Sequence, residues 1–250
     1  MYSLSSRSPA HPTSAPSGEA YAVSAEFYDV LQREADAAHV WQLYREAVGN
    51  AWVGVLDIGT GTGRVTPLCL AGSDLSVHAV EPARSMQRHH DDPVRVLSAQ
   101  ARERITVHPG TLPETGLRGV SGVAVCHNTL AFLDPSSRRR LHPAVTEALC
   151  PGGVFPRRYA SRWCAPSPLP AQPLGRHEYG GRMVLSADAG RLRARFDNWV
   201  QDMTGVLRDH TETIWMWPAS RDDIAAELAQ HGFTPVPDAG DPAVLTVRRA

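Results

Sequence analysis

Residues 53–64 read VGVLDIGTGTGR, and this stretch decides the fold of the chain. Residues 52–57 are mainly apolar and predict a buried strand, the glycines after them predict a sharp turn, and a helix is expected to begin near Arg64. Glycine suits such a turn because a Cβ would hinder both the turn and the approach of a ligand. The first turn of the next helix would direct backbone N–H groups, which have no partner within the helix, towards the glycine turn. The stretch therefore predicts a strand, a ligand-binding turn and a helix in succession.

The spacing of the glycines narrows the class of ligand. Gly59, Gly61 and Gly63 are spaced G-x-G-x-G, whereas a nicotinamide-dinucleotide motif has its third small residue one position later, where this chain has Arg64. Asp57 stands two residues before the first glycine. A carboxylate aimed into this turn suits a cationic amine better than a pyrophosphate. The motif therefore favours a ligand with a cationic amine over a dinucleotide.

Strands and helices are predicted to alternate up to about residue 156. Stretches rich in Val, Ala and Leu end at polar or glycine-containing turns, and amphipathic segments separate them. This alternation predicts an α/β fold with a doubly wound, mostly parallel sheet that carries helices on both faces. The predicted strands are residues 52–57, 75–80, 105–108, 122–127 and 154–155.

The pattern changes after about residue 156. Residues 157–173 are rich in Pro, Ser and Arg and predict a loop over the edge of the sheet. Three stretches with antiparallel hairpin spacing follow, and they predict an antiparallel cap inserted over about residues 157–217. A last helix and a closing hairpin complete the predicted fold. The three cap stretches are residues 182–186, 192–200 and 210–217.

The segment D-x-G-x-G-x-G after an apolar strand resembles the cofactor-binding segment of the class I S-adenosylmethionine-dependent methyltransferases, of the small-molecule type. The resemblance covers about residues 19–249. It implies a Rossmann-like methyltransferase domain over residues 19–250 and S-adenosyl-L-methionine as the cofactor. Residues 1–18, rich in Ser, Pro and Ala, are predicted to be a disordered leader.

The resemblance also implies cofactor contacts at individual positions. Glu81 ends the second predicted strand and would accept the two ribose hydroxyls, while Met86 would pack on the adenine. Thr111 stands where many relatives have an Asp for the adenine amino group, so the chain departs from the pattern there. Asn128 would line the methionine end, and Tyr21 belongs to a helix that would close over the cofactor. Met86 and Tyr21 also fit ordinary packing positions. The predicted contacts are Tyr21, Asp57, Gly59, Thr60, Gly61, Gly63, Glu81, Met86, Thr111 and Asn128.

Two histidines are the candidate catalytic bases. His127 ends the fourth predicted strand, at the carboxyl end where such sheets bind ligands, although a satisfied buried histidine is the alternative. His210 in the cap is the second candidate. Trp199 and Trp215, together with Trp217, could form the wall of an aromatic acceptor pocket.

Composition excludes several other classes of function. The formal net charge of -1 leaves no electrostatic footprint for nucleic acid, and all 25 basic residues counted as Lys+Arg are arginine, which excludes catalysis by lysine. No apolar run is long enough for a membrane span. The four cysteines show no C-x-x-C spacing and predict free thiols in a reducing cytoplasm. No cluster of oxygen ligands predicts a metal site.

These features predict a cytoplasmic methyltransferase that acts on nitrogen or oxygen of a small metabolite in bacterial secondary metabolism. Two alternative hypotheses also assume that the chain binds S-adenosylmethionine. One is a cyclase or isomerase that uses S-adenosylmethionine without methyl transfer, and the other is a partner protein that senses the cofactor. A homodimer is compatible with the sequence.

Overall fold

The structure is a computed structural model that describes Tyr21 and residues 24–95, 97–158, 167–237 and 244–250. The predicted leader, residues 1–18, lies outside the described residues, and so does Cys164. The strands are β1 (Gly54–Ile58), β2 (Ser76–Glu81), β3 (Ile105–Pro109), β4 (Ser121–Val125), β5 (Leu149–Arg158), β6 (Ser167–Leu174), β7 (His177–Asp188), β8 (Arg191–Asp202), β9 (Gly205–Met216), β10 (Phe233–Pro235) and β11 (Val244–Arg249).

Seven α-helices lie in the described part of the chain, together with one turn of 3-10 helix, Leu130–Phe132. The α-helices are α1 (Ser24–Gly49), α2 (Thr66–Gly72), α3 (Arg84–Arg95), α4 (Ala99–Glu103), α5 (Leu112–Thr115), α6 (Pro135–Ala148) and α7 (Arg221–Ala229).

A seven-stranded sheet in the order β10-β11-β5-β4-β1-β2-β3 forms the centre of the molecule. Strands β1 to β5 pair in parallel, while β11 runs antiparallel to both β5 and β10. Every residue of β1 is buried, as expected for a central strand that helices cover on both faces. This arrangement confirms the predicted doubly wound, mostly parallel α/β fold and the closing hairpin.

The two faces of the sheet pack against different helices. Val55 of β1 belongs to a cluster with Tyr44 of α1 and Cys69 of α2. Leu56, its neighbour in sequence, belongs to the cluster on the other face, which includes Val145 of α6. Successive side chains in a strand point to opposite faces, so the continuous apolar run of β1 supplies both cores.

A second sheet, in the order β6-β7-β8-β9, is entirely antiparallel and confirms the predicted cap insertion. It packs against α1, where the ring centroids of Phe27 and Tyr179 are 5.7 Å apart. The predicted loop over residues 157–173 is wrong at both ends, because β5 continues to Arg158 and β6 begins at Ser167. Sequence reasoning took the prolines of β6 as loop residues, but an edge strand tolerates proline because one side of it needs no N–H donors.

The described part of the chain has free cysteines, and it has neither a cluster of metal-binding side chains nor a helix fit to cross a membrane. Cys69, Cys126 and Cys150 are free thiols there. Over the same residues, no group of three His, Cys, Asp or Glu side chains could hold a metal ion. None of the helices within the described ranges combines the length and the apolarity needed to cross a membrane.

Candidate functional site

A cavity lies at the carboxyl ends of β1, β2 and β4, between the parallel sheet, α1 and the antiparallel sheet. The space inside it is about 1200 Å³, including the solvent at its mouth. Crevices at this edge of an open α/β sheet are where such folds bind ligands. The lining residues are Tyr21, Phe27, Tyr28, Leu31, Val40, Gly59, Thr60, Gly61, Arg64, Val65, Glu81, Pro82, Ala83, Met86, His127, Asn128, Thr129, Phe132, Leu133, Phe196, Asn198 and Ile214.

Most residues predicted to act in the site line this one cavity, although they come from four separate segments. Four of the predicted positions, namely Asp57, Gly63, Thr111 and His210, do not lie on its wall. The predicted residues that do line it are Tyr21, Gly59, Thr60, Gly61, Glu81, Met86, His127 and Asn128.

The glycines of the turn after β1 are needed for two different reasons. Gly59 has a φ of +66°, and a Cβ on it would lie 2.3 Å from the hydroxyl oxygen of Thr129. Gly61 has a φ of +59°, and a Cβ there would have no atom within 4 Å. Gly59 therefore allows close packing of the protein on itself, whereas Gly61 borders open space on the cavity side. The sequence assigned the glycines to the turn and to ligand approach, and the structure adds the close contact with Thr129 as a further reason for Gly59.

Glu81 ends β2 and turns its carboxylate towards the glycine turn. Its Oε2 accepts a hydrogen bond from the backbone N–H of Gly61, and its Oε1 accepts one from that of Ala83, both at 2.8 Å. Burial raises the pKa of Glu81 to about 7, while these two hydrogen bonds lower it. The backbone therefore fixes the orientation of the carboxylate on the cavity wall.

Asp57 lies beneath the turn and not on the cavity wall. Its Oδ2 accepts a hydrogen bond from the hydroxyl of Thr66 at 2.8 Å, and that hydroxyl lies 2.7 Å from the hydroxyl of Thr60. Burial raises the pKa of Asp57 to about 6. The carboxylate thus ties the start of α2 to β1, and through Thr60 it orders a residue that does line the cavity.

The other three predicted residues off the wall have structural partners of their own. Thr111 starts α5, where its backbone N–H and its hydroxyl both donate to Glu114 Oε2 at 2.7 Å. The Thr111 hydroxyl is therefore used in a helix cap. His210 packs on the cavity-lining Phe27 with ring centroids 6.0 Å apart and is not itself on the wall. Gly63 has a φ of +79°, and its N–H donates to the carbonyl of Thr60 at 2.9 Å.

His127, the first candidate base, lines the cavity and has a partner that the sequence did not indicate. The Nδ1 of its ring lies 3.1 Å from the hydroxyl oxygen of Tyr44 on α1. The two rings meet edge to face, with centroids 5.8 Å apart. No spacing rule links residues so far apart in the chain, and only the packing of α1 on the sheet brings them together.

Two buried asparagines place unpartnered amide atoms at the cavity. Asn128 has a φ of +56°, and both Oδ1 and Nδ2 of its side chain lack a hydrogen-bond partner among the described residues. Asn198 of β8 is 3% exposed, and its Nδ2 also lacks a partner among them. A buried amide without a partner costs about 1–3 kcal/mol, so a ligand is the expected source of the missing bonds. Asn198 has no motif around it and was missed by sequence reasoning.

The aromatic wall differs from the predicted one. Asn198 and Ile214 line the cavity, so their strand neighbours Trp199 and Trp215 point to the opposite face of the antiparallel sheet. On that face Arg191 lies 3.7 Å from the centroid of the Trp215 ring. The predicted tryptophan wall is therefore wrong, and Trp217 does not line the cavity either. The aromatic side chains on the wall are Tyr21, Phe27, Tyr28, Phe132 and Phe196.

The antiparallel sheet also holds the α1 side of the cavity in place. The backbone N–H of Tyr21 donates to Glu212 Oε1 at 2.9 Å, and the hydroxyl of Tyr179 donates to Glu26 at 2.8 Å. The ring of Tyr21 meets that of Phe132 edge to face, with centroids 6.1 Å apart. The wall formed by Tyr21 and α1 thus depends on contacts with both the antiparallel sheet and the segment after β4.

Comparison with known proteins finds the same fold without close sequence similarity. No protein-family model matches the chain, and no curated protein matches it in sequence. The sugar N-methyltransferase KedS8 from Streptoalloteichus sp. is 19% identical with a TM-score of 0.70, and the match covers 100% of this chain and 99% of that one. DesVI from Streptomyces venezuelae is 16% identical with a TM-score of 0.71, over 90% of this chain and 96% of that one.

A third structure was solved with S-adenosylmethionine bound. CalS10 from Micromonospora echinaspora is described as an amino pentose methyltransferase involved in calicheamicin biosynthesis. It is 19% identical with a TM-score of 0.65, over 88% of this chain and 92% of that one. The chain therefore has the Rossmann-like fold of the class I S-adenosylmethionine-dependent methyltransferases.

Proposed function

We propose that this protein is an S-adenosylmethionine-dependent methyltransferase that acts on a nitrogen or oxygen of a small metabolite. The observation that carries the proposal is the single cavity into which the glycine turn, Glu81, Asn128 and His127 converge. Solved structures of the same fold include a sugar N-methyltransferase and an amino pentose methyltransferase. They favour nitrogen of an amino sugar as the acceptor, and with it a place in bacterial secondary metabolism.

The residues present fit S-adenosylmethionine. The open space beside Gly61 gives room where a Cβ would otherwise stand, next to a carboxylate suited to accept two ribose hydroxyls. Both amide atoms of Asn128 are available to the polar methionine end. Met86 is buried on the wall beyond Glu81, where it would pack on the adenine. In this proposal Asp57 acts indirectly, since it orders the turn through Thr66.

When bound, S-adenosylmethionine supplies a methyl group on a sulfonium, which is a good leaving group. The chain has to hold the acceptor in line with that methyl group and exclude water, and positioning of this kind supplies roughly 7–11 kcal/mol. His127 would accept the proton that the acceptor loses, which adds about 10²–10⁴-fold in rate. His210 is not favoured for this role, because it does not line the cavity.

The antiparallel sheet would select the acceptor. It contributes Phe196, Asn198 and Ile214 to the wall, and all three lie on strands outside the parallel sheet that carries the glycine turn. Asn198 Nδ2 would donate a hydrogen bond to an oxygen of the acceptor. Exchanging the segment 167–216 for that of a protein with the same fold, with Tyr179 and Glu212 retained to hold Tyr21 and α1, should change acceptor preference and leave cofactor affinity unchanged. Loss of cofactor binding in the exchange would contradict this division of roles.

Mass spectrometry of reaction products tests the proposed activity. The protein is incubated with S-adenosylmethionine and a set of amino pentose and amino hexose glycosides. We expect an acceptor product that is heavier by one methyl group, together with S-adenosylhomocysteine. An acceptor converted without change of mass would contradict methyl transfer and favour a cyclase or isomerase. Cofactor binding without any conversion across amines and alcohols would favour a sensing protein.

A further inference from the structure

Tyr44 of α1 is buried against His127 but does not itself line the cavity. Its side chain is 2% exposed, and its hydroxyl oxygen lies 3.1 Å from His127 Nδ1. The same oxygen lies 3.5 Å from the carbonyl oxygen of Cys126. The histidine ring forms part of the cavity wall. One ring nitrogen is therefore held by Tyr44, and the other lies on the far side of the ring from it.

The hydrogen bonds around Tyr44 distinguish the two neutral tautomers of His127. If the proton is on Nδ1, this N–H donates to the tyrosine oxygen, and the tyrosine O–H donates to the carbonyl of Cys126. If the proton is on Nε2, the tyrosine O–H must donate to Nδ1, and the bond to the carbonyl is lost. The first arrangement makes one more hydrogen bond inside a buried site, where an unmade bond costs about 1–3 kcal/mol.

The remaining neighbours of this oxygen do not reverse that preference. The backbone N–H of Arg158 lies close enough to Tyr44 to act as a donor to it, and it also donates to the Cys126 carbonyl at 3.3 Å. A carbonyl oxygen accepts two hydrogen bonds, so it can take the tyrosine O–H as well. Burial raises the pKa of Tyr44 well above its ordinary value, so its oxygen stays protonated.

We propose that Tyr44 is a positioning residue that fixes His127 as the Nδ1–H tautomer and so leaves Nε2 as the proton acceptor. The tautomer follows from the geometry alone, whereas the catalytic role of Nε2 rests on the proposed function. In the reaction the acceptor N–H or O–H gives its proton to Nε2, and the acceptor lone pair forms the bond to the methyl carbon. The electrons of the broken S–C bond stay on sulfur.

This arrangement needs no rearrangement when His127 takes up a proton. The imidazolium carries N–H groups at both positions, and its Nδ1–H bond to Tyr44 is the one already present. The opposite tautomer would require the tyrosine O–H to rotate away before Nδ1 could be protonated. The Tyr44 contact therefore prepares the ring for proton transfer at Nε2.

Nitrogen NMR of the histidine side chains tests the tautomer without any acceptor. In the full-length protein labelled with ¹⁵N at histidine, the His127 signals are assigned by their loss in His127→Gln. We expect a protonated Nδ1 and an unprotonated Nε2 in the wild type, and a mixture of tautomers in Tyr44→Phe. Tyr28→Phe removes a hydroxyl from a cavity-lining tyrosine and serves as the matched control, with the wild-type pattern expected.

A wild-type spectrum with the proton on Nε2 would overturn the inference, even if Tyr44→Phe failed to fold. An unchanged tautomer in folded Tyr44→Phe would overturn it as well. Calorimetry with S-adenosylhomocysteine on the same samples separates this inference from the proposed function. Tyr44→Phe should bind it as the wild type does, and absence of binding to the wild type would contradict the proposed function without affecting the tautomer.

Discussion

At the scale of single residues, some residues of the predicted ligand-binding turn stabilise the turn itself, and others face the cavity. The motif indicated the turn because glycine, acid and helix come in a recognisable order. It could not indicate which groups face the ligand, since that depends on residues far away in sequence. The close approach of Thr129 leaves room only for glycine at position 59, and the hydrogen bond from Thr66 gives the Asp57 carboxylate its partner. The same limit hid Tyr44 and Asn198, because only tertiary packing brings Tyr44 against His127 and Asn198 to the cavity.

Alanine at the two glycines should separate stability from binding. Gly59→Ala would force a Cβ against Thr129 at a positive φ, so we expect a loss of unfolding free energy above about 3 kcal/mol. Gly61→Ala meets no atom, and we expect only about 1 kcal/mol of strain but a loss of cofactor affinity of tenfold or more. Denaturant unfolding and calorimetry measure the two effects. Equal losses of stability would contradict the assignment.

The raised pKa of Glu81 predicts a pH dependence of stability. Its folded-state value of about 7 lies above the ordinary 4.5, so the folded state binds this proton more tightly than the unfolded state. The free energy of unfolding should therefore fall as pH rises from about 4.5 to 7, by about 3 kcal/mol from this group. Asp57 adds a fall of the same sign up to about pH 6.

Glu81→Gln should reduce this pH dependence, because it removes the larger of the two titrations. Urea unfolding at pH 5 and pH 7.5 measures the change. Glu114→Gln is the control, since this carboxylate caps α5 outside the cavity and its pKa is lowered by its bonds to Thr111. A Glu81→Gln protein with the wild-type pH slope would refute the raised pKa.

At the scale of elements, the strands of the parallel sheet were predictable and the start of the insertion was not. Central strands such as β1 are buried on both faces, so they form apolar runs that stand out in the sequence. Strand β6 is an edge strand with several prolines, and its sequence favours a loop until its pairing with β7 is known. The sequence likewise could not predict which face of β8 and β9 lines the cavity, because that depends on the position of α1.

One buried charge at a junction of elements has no role in the proposed reaction. Arg157 of β5 is fully buried, and its three guanidinium nitrogens lack hydrogen-bond partners among the described residues. Burial lowers its pKa to about 9. Its guanidinium carbon lies 5.4 Å from the centroid of the Phe155 ring, a contact that offsets only part of the several kcal/mol that burying an ion costs. We therefore expect Arg157→Met to leave the free energy of unfolding unchanged or to raise it by about 1–4 kcal/mol in denaturant unfolding.

Leu245→Ala is the comparison for that substitution, because Leu245 pairs in register with Arg157 and is equally buried. This truncation should cost about 2–5 kcal/mol. If Arg157→Met were as destabilising as Leu245→Ala, Arg157 would stabilise the folded state. The inference that its buried charge costs stability would then be wrong.

At the scale of the whole molecule, two sheets and α1 enclose one cavity. The parallel sheet supplies the groups expected to bind the cofactor. The antiparallel sheet supplies Phe196, Asn198 and Ile214, which are expected to contact the acceptor, and α1 contacts both sheets. Among the described residues that line the cavity, the charged side chains are Glu81 and Arg64. Such a wall suits a ribose and an amino-acid end better than a pyrophosphate, which would need several cationic or N–H donors.

The central claim is that this cavity binds S-adenosylmethionine and not a dinucleotide. Isothermal titration calorimetry of the full chain with S-adenosylhomocysteine, and separately with NADH, tests it most directly. We predict saturable binding of S-adenosylhomocysteine at one equivalent per chain, weakened about tenfold or more in Glu81→Gln, since hydrogen bonds to a charged group contribute about 1.5–3 kcal/mol. NADH should give no saturable heat. Saturable NADH binding, or no binding of S-adenosylhomocysteine, would contradict the account.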